Sequence, residues 1–237
     1  MFTAYDPLKE FFRRATGEAL DLSLWTAWEQ IILDTDQSRI RQLLAQILHK
    51  AEAGSMPAMC MSAAYLRSKE GGLRQYKEAA VWAARAAELE CPPGIFELGA
   101  CYENGVGVPQ NYGQAYKLYE EAAASGYGHA ALTLAIRYQL GQGFSVEPSK
   151  ALDYIMKAID LGDTYAPYEL ATWFEHGTGV NIDFSVARHW YAAAAEGGNE
   201  FACARLGTAY SLGGLGLEPD SEMARKYYEL HDESGPT

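Results

Sequence analysis

Basic charge is what this sequence most lacks. Against 31 aspartates and glutamates stand 19 lysines and arginines, a formal net charge of −12. A chain that neutralises nucleic-acid phosphates needs the opposite balance, and so does one held at an anionic membrane surface. The expected partner is another protein, with a basic one favoured by long-range attraction. Long apolar runs are missing too. No window approaches the ~20 apolar residues of a membrane-spanning helix. The first residues, MFTAYDPLKEFFRRAT, interleave Asp6, Lys9, Glu10, Arg13 and Arg14 with apolar side chains, where a secretory signal needs an unbroken apolar stretch. The expected location is the cytoplasm, or the periplasm if a signal has been removed.

Cysteine is sparse. Cys60, Cys91, Cys101 and Cys203 form no CxxC pair, and four is few for a disulfide scaffold of this length. Packed, reduced thiols are the expectation. His49, His129, His176, His189 and His231 form no HExxH and share no ligand spacing with a cysteine, so no metal site is expected. No serine has lysine three residues on; Ser38 leads to Arg41 and Ser185 to Arg188, which removes the serine–lysine hydrolase pattern. GxG stretches are present, but without a preceding strand or a following Gly-Lys-Ser/Thr they are turns, not phosphate loops. No catalytic residue and no cofactor is expected.

A 36-residue period is what the sequence does have. Leu98-Gly99, Leu134-Ala135, Leu170-Ala171 and Leu206-Gly207 recur in phase, as do Tyr102, Tyr138, Phe174 and Tyr210, and Gly105, Gly141, Gly177 and Gly213. Small residues, Gly94, Ala130, Ala166 and Ala202, stand four before each leucine, and a weaker copy begins near Met56. Each copy reads as a first helix, a glycine turn and a second helix. In the second copy these are Gly94 to Asn104, Gly105 to Val108, and a helix from about Tyr112 with Ala115, Leu118, Tyr119 and Ala122 on one stripe. A single pair cannot bury its stripe, so the pairs must stack. The expected fold class is all-α, a right-handed α/α superhelix of helix–turn–helix repeats. Residues 56–237 form a solenoid of about five repeats. Residues 1–55 form a helical cap and a degenerate repeat, all in one continuous domain. Within 1–55 a helix follows Asp6-Pro7, another runs from Leu22 to Leu33 behind Asp21, and a third from Gln37 to Ala53.

These residues resemble the Sel-one-like repeat family, relatives of the tetratricopeptide repeats, whose pattern is roughly AxxxLGxxYxxGxGVxxDxxKAxxWYxxAAxxG. The copy from Gly94 to Gly126 follows it through Leu98, Gly99, Tyr102, Gly105, Gly107, Val108, Ala115 and Tyr119. The copy from Ala166 to Gly198 follows it through Leu170, Gly177, Gly179, Val180, Asp183, Ala187, Trp190 and Tyr191. The resemblance implies a scaffold or adaptor that binds a protein or peptide in a groove lined by the first helices. It also offers an immunity protein that blocks a co-encoded toxin and, least supported, a β-lactamase-like hydrolase.

Three rows of first-helix positions are expected to point away from the stack. The first is Met61, Glu97, Thr133, Glu169 and Arg205. The second is Tyr65, Cys101, Arg137, Trp173 and Ala209. The third is Ser68, Asn104, Leu140, His176 and Leu212. From these the candidate protein-binding residues are Tyr65, Glu97, Arg137, Glu169, Trp173, His176 and Arg205. Trp173 is expected to be half-exposed, because the other copies do without tryptophan there. Aromatic and arginine side chains are the usual anchors of interfaces.

Overall fold

The computed structural model describes residues 7–16, 21–34, 36–68, 73–143 and 145–234. Among them the chain forms thirteen α-helices and no strand. Three precede the repeats: α1 (Pro7–Thr16), α2 (Leu22–Leu33) and α3 (Gln37–Glu52). Five pairs follow: α4 (Met56–Arg67) with α5 (Leu73–Glu88), α6 (Pro92–Asn104) with α7 (Tyr112–Ala124), α8 (Gly128–Leu140) with α9 (Pro148–Asp160), α10 (Ala166–His176) with α11 (Phe184–Glu196), and α12 (Glu200–Leu212) with α13 (Ser221–Ser234). The all-α class and the helix–turn–helix unit are those expected from the period.

One turn design closes each of the last four pairs. The first helix stops on a glycine in the left-handed region: Gly105, Gly141, Gly177 and Gly213 have φ of 66°, 69°, 72° and 78°. Side chains with a Cβ are strained there, which is why glycine recurs. The chain then returns to hydrogen-bond with the helix it left. The N–H groups of Asn111, Glu147, Asp183 and Asp220 donate to the carbonyls of Tyr102, Tyr138, Phe174 and Tyr210 at 2.8, 3.1, 2.9 and 2.7 Å. The same residues start the second helices. Asn111, Asp183 and Asp220 accept from backbone N–H groups two or three residues on, satisfying donors that the helix cannot. Glu147 makes no such cap; Pro148 opens α9 instead, needing no donor at that position.

The described residues fall into two compact units, 7–134 and 135–234. In the first, the core runs from Leu24, Trp25, Trp28, Ile31, Ile40 and Ile47 into Ala58, Met61 and Leu66 of the first repeat. Asp21 caps α2 through Leu24 N–H, and Asp36 caps α3 through Ser38 N–H. Asp6, expected to cap α1, lies outside the described residues. Helix α1 does more than cover α2. Phe12 packs against Trp25 at 6.3 Å, while Phe11 meets Tyr127 edge-on at 5.5 Å between ring centroids. In the second unit, Ala171, Ala187, Tyr191, Ala194, Ala202, Cys203, Leu206 and Ala209 form a continuous core. The four cysteines are buried free thiols.

Candidate functional site

The first-helix face is where the structure departs from the sequence-based expectation. Of the first two rows, Met61, Glu97, Cys101, Trp173 and Ala209 are buried, and the rest are partly covered. Only the third row is open: Ser68, Asn104, Leu140, His176 and Leu212 are all exposed. The reason is the spacing of neighbouring first helices. Positions 97 and 101 do not look outward; they lie against the last turn of the preceding first helix.

The polar contacts show how. In the first unit, Arg67 at the end of α4 donates to Glu97 in α6 at 3.0 Å. The Glu97 side chain is only 5% exposed. Its charge, the main cause, pushes the guanidinium's affinity for its proton well up. In the second unit, Glu175 at the end of α10 accepts from Arg205 in α12, by Nε at 3.1 and 3.2 Å and also by Nη2. Both pairs span 30 residues and occupy the same repeat positions, with the charges exchanged. A second element repeats beside them. Tyr119 Oη donates to Glu103 at 2.8 Å, and Tyr191 Oη to Glu175 at 2.6 Å. Burial pushes the Glu175 carboxyl up, but the donors from Arg205 and Tyr191 outweigh it and hold the group below its ordinary value.

Of the seven candidate residues, Glu97 and Trp173 are corrected: both are interior. Trp173 is 3% exposed, and its indole Nε1 donates to Glu169 at 3.1 Å. A tryptophan in that row costs nothing in exposed surface because it is buried, with its one polar atom satisfied within α10. Glu97 holds Arg67 rather than solvent. Arg205 is partly buried and bound to Glu175. Tyr65, Arg137 and Glu169 are partly exposed, and His176 is exposed, its Nδ1 bonded to the Thr172 carbonyl at 2.9 Å.

In the second unit, α10 gathers the accessible members. Tyr165 stands just before it, Tyr168 and Glu169 lie on its first turn, and the two tyrosine rings stand 5.1 Å apart. Tyr168 also meets Phe201, which is 51% exposed, at 6.0 Å. A small cleft of about 50 Å³ opens between Tyr165, Asn199 and Phe201. Burial, then the neighbouring Tyr168 and Glu169, push the Tyr165 hydroxyl up to about 12. Burial also raises the Glu169 carboxyl, offset only by the Trp173 donor. Leu140, His176 and Leu212 continue this side at the ends of α8, α10 and α12; the two leucines are 57% and 77% exposed.

Glu175, Tyr191, Arg67 and Gln139 were not among the sequence candidates. A signal for them exists. Positions 67, 103, 139 and 175 read Arg, Glu, Gln and Glu, and the residues 30 further on read Glu, Thr, Glu and Arg. Opposite charges at that offset, seen twice, mark a contact between adjacent repeats.

Comparison with known proteins places the repeat. The Sel1 repeat family model matches residues 57–91, 92–127, 128–163, 164–199 and 201–230. An uncharacterised protein of Neisseria meningitidis serogroup B, NMB1327, is 30% identical over 89 residues, 38% of this chain. The chain spans about a fifth, 19%, of that relative's length. Among solved structures, c5321, a protective antigen of uropathogenic Escherichia coli with an SLR fold, is 34% identical with a TM-score of 0.60. The match covers 81% of this chain and 41% of that one. The immunity protein Pa5087 of Pseudomonas aeruginosa has a TM-score of 0.65 at 21% identity, covering 92% of this chain and 84% of that one. The P. aeruginosa immunity protein PA5088 has 0.61 at 20%, covering 98% and 87%.

Proposed function

We propose, on the premise that the chain belongs to the Sel1 repeat family, that it is an adaptor binding another protein through its first-helix side. Repeats of this family generally serve as binding scaffolds rather than catalysts. The observation that carries the reading is the third row. In the second unit Leu140, His176 and Leu212 are all exposed, and the two leucines expose more than half their surface. The stack uses none of them, so their apolar area stays in water until something covers it. The accessible Arg137, Glu169 and Arg205 of the same unit lie in the neighbouring rows and are part of the same proposal, Tyr65 of the first unit is proposed as a contact in its own right, and the cytoplasm is the proposed place. Among the described residues no helix is long and apolar enough to cross a membrane.

The test is capture by the tagged full chain from host lysate, against the double variant Leu140→Asp/Leu212→Asp. The expected result is a protein that wild type retains and the variant loses, with melting temperature unchanged. Equal retention would refute the assigned face.

A second reading specialises the first: an immunity protein that neutralises a toxin by binding it. Two structural relatives bear that name, and an excess of 12 negative charges suits a basic toxin. Co-expression with the product of the adjacent gene tests it. Growth arrest relieved by this chain supports the reading; a harmless neighbour rejects it.

A further inference from the structure

Two of the inter-repeat contacts on the first helices are closed by an arginine and a glutamate of the chain itself. Arg67 meets Glu97 in the first unit, and Glu175 meets Arg205 in the second. The contact 36 residues before Glu175 and Arg205 is different. There the two positions hold Gln139 and Glu169, again 30 apart, and the rung has an anion but no cation. Among the described residues the Glu169 carboxylate accepts from Trp173 Nε1 at 3.1 Å and meets no Lys, Arg or His. The Oε1 atom of Gln139 is buried without a hydrogen-bond partner. Its amide is pressed against the α10–α11 turn, where a Cβ on Gly179 would stand 2.6 Å from it. Buried polar atoms are almost always satisfied, so both members of this rung, related by the repeat, lack the partner that the other two rungs have.

We infer that Glu169 is the socket for an arginine side chain of the bound protein, which completes the rung that Arg67 and Arg205 complete elsewhere. The inference rests on the protein-binding reading above and names the chemistry of its contact. A guanidinium fits for three reasons. Both cations that close the equivalent rungs are arginines. Its planar fork of N–H donors matches a carboxylate with two parallel bonds, which an ammonium on a single stem does less well. Its flat face also stacks on aromatic rings, and Tyr165 and Tyr168 lie near Glu169, with the exposed Phe201 against Tyr168. The net charge of −12 supplies the attraction that brings such a partner in.

The test uses the full chain and capped arginine (N-acetyl-arginine methylamide), with capped citrulline as its neutral isostere. The Trp173 indole N–H, hydrogen-bonded to Glu169, is the reporter in a proton–nitrogen NMR spectrum, identified by its loss in Trp173→Phe. Capped arginine is expected to shift this signal saturably, and citrulline to leave it in place. Glu169→Gln should weaken the response at least about fivefold, the scale of a partly exposed ion pair. Gln139→Arg, which supplies the cation from within, should abolish it without lowering the melting temperature; it serves as the test if Glu169→Gln fails to fold. An equal response to citrulline, or an unaltered response in either variant, overturns the socket. The adaptor reading is judged separately by capture from host lysate. A partner retained equally by wild type and Glu169→Gln removes the socket and keeps the adaptor. A saturable arginine response in a chain that captures nothing keeps the socket and removes the adaptor.

Discussion

Gly94 and Gly113 allow one substitution to be judged by tertiary spacing alone. Both stand in the first turn of a helix, α6 and α7, and alanine is the better helix former by up to ~1 kcal/mol. At Gly113 the nearest atom to an added Cβ is Asn111 Oδ1 at 3.5 Å, an ordinary contact. Gly113→Ala should therefore keep the helix gain, about 0.5 kcal/mol, and raise the melting temperature by roughly 1–2 °C. At Gly94 the added Cβ would stand 2.3 Å from Ala86 Cβ and 2.9 Å from the Ala86 carbonyl carbon. Neither obstacle is the end of a flexible side chain, so α5 and α6 must separate by roughly 1 Å. Overpacking of that kind costs about 1–3 kcal/mol. It exceeds the helix gain, and Gly94→Ala should lower the melting temperature by roughly 2–6 °C for a chain of this size. The assay is thermal unfolding followed by circular dichroism, with wild type and both variants in one buffer. A rise of the same size in both variants would refute the reasoning, since helix propensity would then be acting alone and the α5–α6 approach would be free to relax. The other copies carry Ala130, Ala166 and Ala202 at this position, all fully buried, so the prohibition belongs to this one interface and not to the repeat.

Three further outcomes are expected. Trp173→Ala should destabilise the fold by about 3 kcal/mol or more, as deletion of a buried aromatic does; a melting temperature within a degree or two of wild type would return Trp173 to the surface. The four buried thiols should resist iodoacetamide until the chain unfolds, and diamide should join Cys60 to Cys91, whose sulfurs lie 3.7 Å apart. Peptide mass spectrometry reads this link, and one involving Cys203 instead would contradict the packing. Stability should also fall as pH rises from the ordinary glutamate pKa to the raised folded value of Glu169, because across that window the native state holds more protons than the unfolded chain. Glu169→Gln should flatten that segment of a melting-temperature–pH curve; an unchanged slope would show that the carboxylate is not desolvated.

What the sequence determined by itself is local or periodic. Asp21 and the helix Leu22–Leu33, the start of α7 at Tyr112, and the left-handed glycines at 105, 141, 177 and 213 all follow from residues within a few positions of one another. The 36-residue phase then states that each pair meets its neighbour in the same way, because a stack of identical units repeats one interface. Tertiary structure alone decided which first-helix positions that interface consumes. Row variability marked 97 and 173 as free, yet both are buried: Glu97 lies against Arg67 of the preceding first helix, and Trp173 is enclosed with its indole bonded to Glu169. A position can vary between copies and still be interior when its partner varies with it, as Arg67–Glu97 and Glu175–Arg205 do with exchanged charges. Complementarity across 30 residues is a property of two helices in contact, and a reading that compares copies one column at a time passes over it. The same physics leaves Glu169 conspicuous, because only the packed structure shows that its column has a partner column, and at this rung the repeat puts Gln139 there.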